Sequence, residues 1–262
     1  MPREDYIQAN RRMWNETATV HAETYVDELK ARIHAPDFST FDGVEQQLFA
    51  RIGLRDKAVV QLACNNGREL ISVKKAGAGY CLGVDLSDGF IEQARDLANA
   101  AGVAVEFLRA SVYELPENLH GRFDLVYISI GVLGWLEDLD GFLATVAALL
   151  RPGGQVFIYE MHPILNMFEA RKGLVVDAGY FCREPFYAET EPDYFDPNRT
   201  IEAGSYWFSH TLGEIIQGCL EHGLGLEHFA EYGHDISNVY AAFEREANKP
   251  PLSYSLIARK SA

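Results

Sequence analysis

The stretch Val59-Val60-Gln61-Leu62-Ala63-Cys64-Asn65-Asn66-Gly67 passes from an apolar β-type run into a turn of small residues. About twenty residues past the turn, a second apolar segment, Tyr80-Cys81-Leu82-Gly83-Val84, ends on Asp85. Such a turn lets a ligand approach bare backbone. A carboxylate at the strand end can accept hydrogen bonds from both hydroxyls of a ribose. The chemistry these residues suit is the non-covalent grip of a cofactor with an adenosine-like half. Phosphates fit poorly: Gly-x-Gly-x-x-Gly would need three glycines where only Gly67 stands, and no Gly-Lys-Ser/Thr follows. Asn65 and Asn66 tolerate left-handed backbone better than other non-glycines, which suits a loop short of glycine.

Holding that turn requires strands and helices in alternation. Arg68 to Lys75 reads as a helix start directly after Gly67. Ser87 is placed to cap a helix with the stripe Phe90, Ile91, Ala94, Leu97 and Ala98, which Gly102 stops. Strands follow at Val105 to Leu108 and at Leu125 to Ile130, the latter apolar throughout, as a strand buried on both faces should be. Asp140 can cap a helix from Phe142 to Leu150 that ends at Pro152-Gly153-Gly154, and Gln155 to Tyr159 is the fifth strand. Thr211-x-x-Glu214 is a capping box for a helix through Leu220 that Gly223 ends; Leu224 to Phe229 and Leu252 to Ala258 would close the sheet as a hairpin. The expected fold is α/β, a mostly parallel, doubly wound, seven-stranded sheet. Ligands of such sheets sit beyond the carboxyl ends of the strands, which gathers Ala63 to Gly67, Asp85, Ser111, Ser129 and Glu160 to His162 around one crevice.

Two segments fall outside this rhythm. Residues 3–33 read as helical, with Ile7, Trp14, Val20, Tyr25, Leu29 and Ile33 on an imperfect apolar stripe, then a break over 34–41 and a helix from Gly43 to Ile52. Residues 164–209 are rich in aromatics and prolines, too apolar for a disordered linker, and predict a short antiparallel excursion over the crevice. One domain results: an N-terminal helical cap (1–42), a cofactor-binding core (43–163), an inserted lid (164–209) and a C-terminal helix with closing hairpin (210–262).

The chain has 262 residues, 48% of them hydrophobic, and a net charge of −15. That field repels nucleic acid and anionic membrane surfaces, and the basic residues are scattered. Cys64, Cys81, Cys182 and Cys219 lack CxxC spacing and read as reduced thiols. Without a signal-peptide pattern or a run long enough to span a membrane, the expectation is a soluble, cytoplasmic protein.

At these motifs the chain resembles the class I S-adenosylmethionine-dependent methyltransferases, well over about residues 45–160 and more loosely over 210–260. The family's first-strand motif, acidic-x-Gly-x-Gly-x-Gly, falls on Gln61, Ala63, Asn65 and Gly67. Its ribose-binding acid falls on Asp85, the segment after its third strand on Ala110-Ser111-Val112, its fourth strand on Phe123 to Ser129, and the turn before its fifth on Leu150 to Gly154. The chain departs from the pattern at Gln61 (an acid in the family), Ala63 and Asn65 (glycines) and Ser111 (the acid beside adenine). The resemblance implies S-adenosylmethionine as cofactor, S-adenosylhomocysteine as product and an O or N atom of a small molecule as acceptor. It implies cofactor contacts at Trp14, Gln61, Ala63, Cys64, Asn65, Gly67, Asp85, Leu86, Ser111, Val112 and Ser129, with Val112 packing on adenine. Trp14-Asn15 resembles a pair ahead of the core in small-molecule members, where the first helix closes over the cofactor.

Methyl transfer asks mainly for proximity, alignment and a dry site, with a base where the nucleophile is a hydroxyl or ammonium. His162, in Glu160-Met161-His162-Pro163, and His210, before the capping box, are the two candidate bases. No metal is expected: Glu160 stands alone and Asp124 precedes its strand. A dehydrogenase with a degenerate dinucleotide loop and a non-catalytic binding protein stay open as alternatives. Oligomeric state is not legible.

Overall fold

The computed structural model describes residues 3–261; Met1, Pro2 and Ala262 lie outside the described residues. Its core strands are β1 (Val59–Leu62), β2 (Cys81–Asp85), β3 (Glu106–Arg109), β4 (Phe123–Ile128) and β5 (Leu150–Met161). The segment after β5 adds β6 (Phe186–Ala188), β7 (Glu191–Pro192), β8 (Thr200–Ile201) and β9 (Ser205–Trp207), and the chain closes with β10 (Leu224–Tyr232) and β11 (Ser253–Lys260). The seven-stranded sheet has the order β10-β11-β5-β4-β1-β2-β3. Strands β1 to β5 pair in parallel. Only β11 runs against its neighbours, antiparallel to both β5 and β10.

Among the described residues seven α-helices flank it: α1 (Arg3–Thr24), α2 (Val26–Ile33), α3 (Gly43–Ile52), α4 (Arg68–Lys75), α5 (Asp88–Ala101), α6 (Leu139–Leu149) and α7 (Leu212–Glu221). Every residue of β1, β2 and β4 is buried, the physical reason their sequences read as unbroken apolar runs. Alternate residues serve opposite faces. Val60, Leu62, Val84, Val126 and Ile158 meet Phe142, Leu143 and Val146 of α6 on one side. Val59, Leu125, Tyr127 and Phe157 meet Ile33, Phe49, Ile71 and Ile91 of α2, α3, α4 and α5 on the other.

The caps explain the helix boundaries. The Ser87 hydroxyl accepts from the Phe90 N–H, Gly102 ends α5 in left-handed backbone, and Thr211 with Glu214 forms the capping box of α7. Three expectations need correction. The cap of α6 is Asp138, whose carboxylate accepts from the Gly141 N–H; Asp140 lies inside the first turn, where it meets His222 at 2.8 Å. The helical stretch 3–33 is broken at Tyr25. Finally, β5 starts at Leu150, because the register beside β4 shifts between Phe123 and Leu125 and lets Arg151 to Gly154 ride along as a bulge.

The segment between β5 and α7 folds back as two short antiparallel pairs, β6 with β9 and β7 with β8. It is stitched to α1. The buried Asn10 amide reads the Tyr206 backbone in both directions, donating to its carbonyl at 2.9 Å and accepting from its N–H at 2.8 Å. Glu16 accepts from the N–H groups of Glu202 and Ala203. His21 Nε2 meets Asp193 at 2.8 Å with both side chains fully buried. The chain's three tryptophans join the layers in one column: Trp14 of α1 is edge-on to Trp135 of the core at 4.9 Å, and Trp135 is edge-on to Trp207 of β9 at 5.0 Å.

Burial holds the His21 imidazole below its ordinary pKa of 6.5, although Asp193 opposes the shift. The ring is therefore neutral in the fold, while an unfolded chain gains a proton there as pH falls through about 6.5. Stability carried by this group is present above that value and lost below it. The thermal midpoint is expected to drop a few degrees between about pH 7.5 and pH 5.5, and the slope to flatten in His21→Gln. An equal slope in both proteins would assign the pH dependence elsewhere.

Candidate active site

At the carboxyl end of β1 the backbone turns through left-handed conformations at Ala63 (φ 51), Asn65 (φ 51) and Gly67 (φ 72). Asn65 fulfils its expected tolerance and Asn66 does not need it. Ala63 adopts the strained conformation without a glycine's freedom. Gly67 is required twice over, since a Cβ there would also lie 2.6 Å from the Phe107 ring. The turn is locked onto the next strand: Asp85 Oδ2 accepts from the Asn65 N–H at 2.7 Å, and Oδ1 from the Ser87 N–H at 2.8 Å. Burial pushes the Asp85 carboxyl up to about 6, against the pull of those N–H donors.

The other expected contacts are brought to the same strand ends, with one exception. Gln61, fully buried, donates from Nε2 to Ser129 Oγ at 3.1 Å, bridging β1 and β4; its Oε1 has no partner among the described residues. Leu86 follows Asp85, half-buried. Ser111 and the buried Val112 follow β3, and the Ser111 hydroxyl accepts from the Tyr113 N–H. Trp14 packs edge-on to Phe90 and Trp135, while Asn15 Oδ1 accepts from the Ser87 hydroxyl at 2.7 Å, which hangs α1 over the end of β2. The exception is Cys64. Its Sγ points into the core, 2.8 Å from where a Cβ on Gly83 would sit, and burial raises its thiol pKa well above the ordinary value. Its N–H donates to the Val84 carbonyl and its carbonyl accepts from Gly67, so Cys64 shapes the turn and presents no free polar atom.

Sequence reasoning missed Tyr194 from the insertion, whose hydroxyl is 3.3 Å from Asn65 Nδ2. Its signal was the aromatic density of the segment, but nothing in the sequence told Tyr194 from its neighbours.

Beyond the ends of β4 and β5 lies a cavity of about 30 Å³, lined by Glu160, His162, His210, Tyr254, Asn166 and Trp207 with apolar neighbours. It holds both candidate bases, in different states. His162 caps a short turn: its Nδ1 accepts from the Ile164 N–H at 3.1 Å, so Nε2 carries the proton and donates to Glu231 at 2.9 Å. Both ring nitrogens of His162 therefore have partners within the fold. His210 Nε2 is 2.6 Å from the Leu136 carbonyl, which can only accept, so the neutral ring keeps its lone pair on Nδ1. Burial lowers the His210 pKa below its usual value and favours that neutral form. Glu160 is 3% exposed, accepts from the N–H groups of Gly131, Leu133 and Met161, and is pushed up to about 7 by burial.

One set of strand ends thus carries a locked turn with carboxylate and amide and, beside it, a cavity with a histidine whose Nδ1 can accept a proton. Residues 59–154 match a family model described as a methyltransferase domain. Over 131 residues the chain is 35% identical to the ubiquinone biosynthesis O-methyltransferase of Aromatoleum aromaticum, covering 50% of this chain and 54% of that protein. Over 152 residues it is 34% identical to mRNA cap guanine-N(7) methyltransferase 1 of Arabidopsis thaliana, covering 50% and 40%. The chain therefore spans about half the length of these curated relatives. Its fold matches the geranyl diphosphate C-methyltransferase of Streptomyces coelicolor solved with S-adenosyl-L-homocysteine, at TM-score 0.64 over 99% of each chain and 13% identity. Residues 59–154 thus match a methyltransferase domain, and the fold of the whole chain is one that S-adenosylmethionine-dependent methyltransferases of known structure share.

Proposed function

We propose that the chain binds S-adenosylmethionine across the ends of β1, β2 and β4 and directs its methyl group to an oxygen or nitrogen of a small-molecule acceptor. The observation that carries this reading is the orphaned Gln61 Oε1, buried at the strand end where the family holds the methionine amino group. An ammonium would supply the missing donor, so a neutral amide replaces the family's acid without losing the acceptor. Asp85 would take the ribose hydroxyls, while Leu86, Ser111 and Val112 border the adenine. When bound, the cofactor supplies an activated methyl on sulfur. The chain's own work is to orient the acceptor, exclude water beneath Trp14, Trp135 and Trp207, and receive a proton at His210 Nδ1. Four unpaired cysteines, three of them buried, suit a reducing cytoplasmic setting.

A nucleic-acid acceptor is the second reading, favoured by the mRNA cap relative and opposed by the net charge of −15. Calorimetry with S-adenosylmethionine, S-adenosylhomocysteine and NAD tests the cofactor. Binding of NAD alone would overturn the reading. Labelled methyl transfer offered to a metabolite library and to total RNA separates the two acceptors.

In this reading α1 and residues 164–209 are a lid. Hydrogen exchange in both is expected to slow, by roughly tenfold or more at the most protected amides, when S-adenosylhomocysteine binds. Equal exchange with and without ligand would leave them as scaffold.

A further inference from the structure

The cavity beyond β4 and β5 contains two groups that the fold alone leaves incomplete. Glu160 is a nearly fully buried carboxylate, and among the described residues no Lys, Arg or His nitrogen comes within ion-pair distance of it. Its three backbone N–H partners supply dipoles but no charge. A buried carboxylate without a countercharge is costly, and the cost is relieved when a cation arrives. Directly across the β5–β11 ladder, in register with Glu160, stands Tyr254. Its ring is fully buried, and its hydroxyl has no hydrogen-bond partner among the described residues. Cross-strand partners project side by side on one face, so the two groups address the same small space.

The size and walls of that space narrow what fits. About 30 Å³ admits one water-sized polar group and excludes a carboxylate or phosphate head. Anions would also meet Glu160 with no cation to receive them. Trp207 and Phe208 form an aromatic wall, a surface on which cations are favourably seated. His210, in the same cavity, keeps a free lone pair on Nδ1.

We propose that this cavity seats the head of a primary or secondary amine, held by the Glu160 carboxylate and the Tyr254 hydroxyl, and that the acceptor atom is nitrogen. This rests on the methyltransferase reading above and narrows its acceptor. Arriving as an ammonium, the head is recognised by its charge, and its surplus proton passes to His210 Nδ1. The nitrogen lone pair then forms the N–C bond, and the S–C bond breaks with its electron pair left on sulfur.

The test has two stages on the full chain. S-adenosylhomocysteine is titrated first; failure to bind would overturn the methyltransferase reading itself and this inference with it. The saturated protein is then titrated with propylamine and benzylamine against 1-propanol and benzyl alcohol, and transfer is followed by mass on the same compounds. The expected result is at least tenfold tighter binding of each amine than of its alcohol, and a methylated amine as product. Tyr254→Phe, which removes only the hydroxyl, should weaken amine binding several-fold and leave alcohol binding unchanged; Glu160→Gln should remove the preference for amines. Alcohols binding as tightly as amines, or an amine preference that survives Tyr254→Phe undiminished, would overturn the inference while leaving cofactor binding intact. Should Glu160→Gln fail to fold, Tyr254→Phe and the amine-to-alcohol ratio decide the matter.

Discussion

His210→Ala is expected to slow methyl transfer by roughly a hundredfold or more, the scale of a lost general base, with cofactor affinity within about twofold of the parent. His162→Ala should behave differently. That ring caps a turn and is tied to Glu231, so its loss is expected to cost about 1 kcal/mol of stability and to leave most of the rate. The pH profile sharpens the contrast. A base must be unprotonated, and burial holds the His210 pKa below 6.5, so the rate should rise with pH through a limb on the acid side of that value. The limb should vanish in His210→Ala and persist in His162→Ala. A slow His162→Ala beside an unimpaired His210→Ala would reverse the assignment. Two unimpaired variants would mean that alignment alone carries the reaction.

Asp85→Ala is expected to weaken S-adenosylhomocysteine binding by about 1.5–3 kcal/mol, or roughly ten- to more than a hundredfold, as charge-assisted hydrogen bonds to the ribose are lost. The same affinity should fade in the parent as pH falls through about 6, where the buried carboxyl takes up its proton. The stability sign is opposite. Because the folded pKa lies above the ordinary 3.8, the stabilising contribution is the protonated form, complete below 3.8 and lost as pH rises through about 6. Asp85→Asn should therefore bind the cofactor product poorly without lowering the thermal midpoint at neutral pH. Titration calorimetry and a melting curve on one preparation check both halves. Unchanged affinity in Asp85→Ala would show that the ribose is held elsewhere.

What could be read in advance was whatever the chain encodes locally. Burial of β1, β2 and β4 on both faces leaves an unmistakable apolar run, and Ser87, Gly102 and the Thr211–Glu214 box act within one helical turn of themselves. The seven strands and the place of Asp85 were accordingly legible. Asp138 and Asp140 are both acids at the head of α6, and the sequence does not show that the helix starts at Leu139, which makes Asp138 the cap and leaves Asp140 to meet His222. The state of His162 is set by Glu231, 69 residues away, across a hairpin whose register no local pattern specifies. Cys64 sits where the family meets its cofactor, yet the missing Cβ of Gly83 opens the core to its sulfur. Tyr254 looked like any aromatic in a strand until its ladder partner proved to be Glu160.

The column of Trp14, Trp135 and Trp207 has an optical consequence. All the indole absorbance of the molecule lies along one seam between cap, core and insertion, so excitation at the red edge of the ultraviolet band, where the 13 tyrosines no longer absorb, samples that seam. Edge-on rings at such spacing couple their transitions, which gives the native protein a near-ultraviolet dichroism that separation of the rings would abolish. Motion of the proposed lid would then be timed in a stopped-flow mixer on unlabelled protein, with no probe attached and no residue altered.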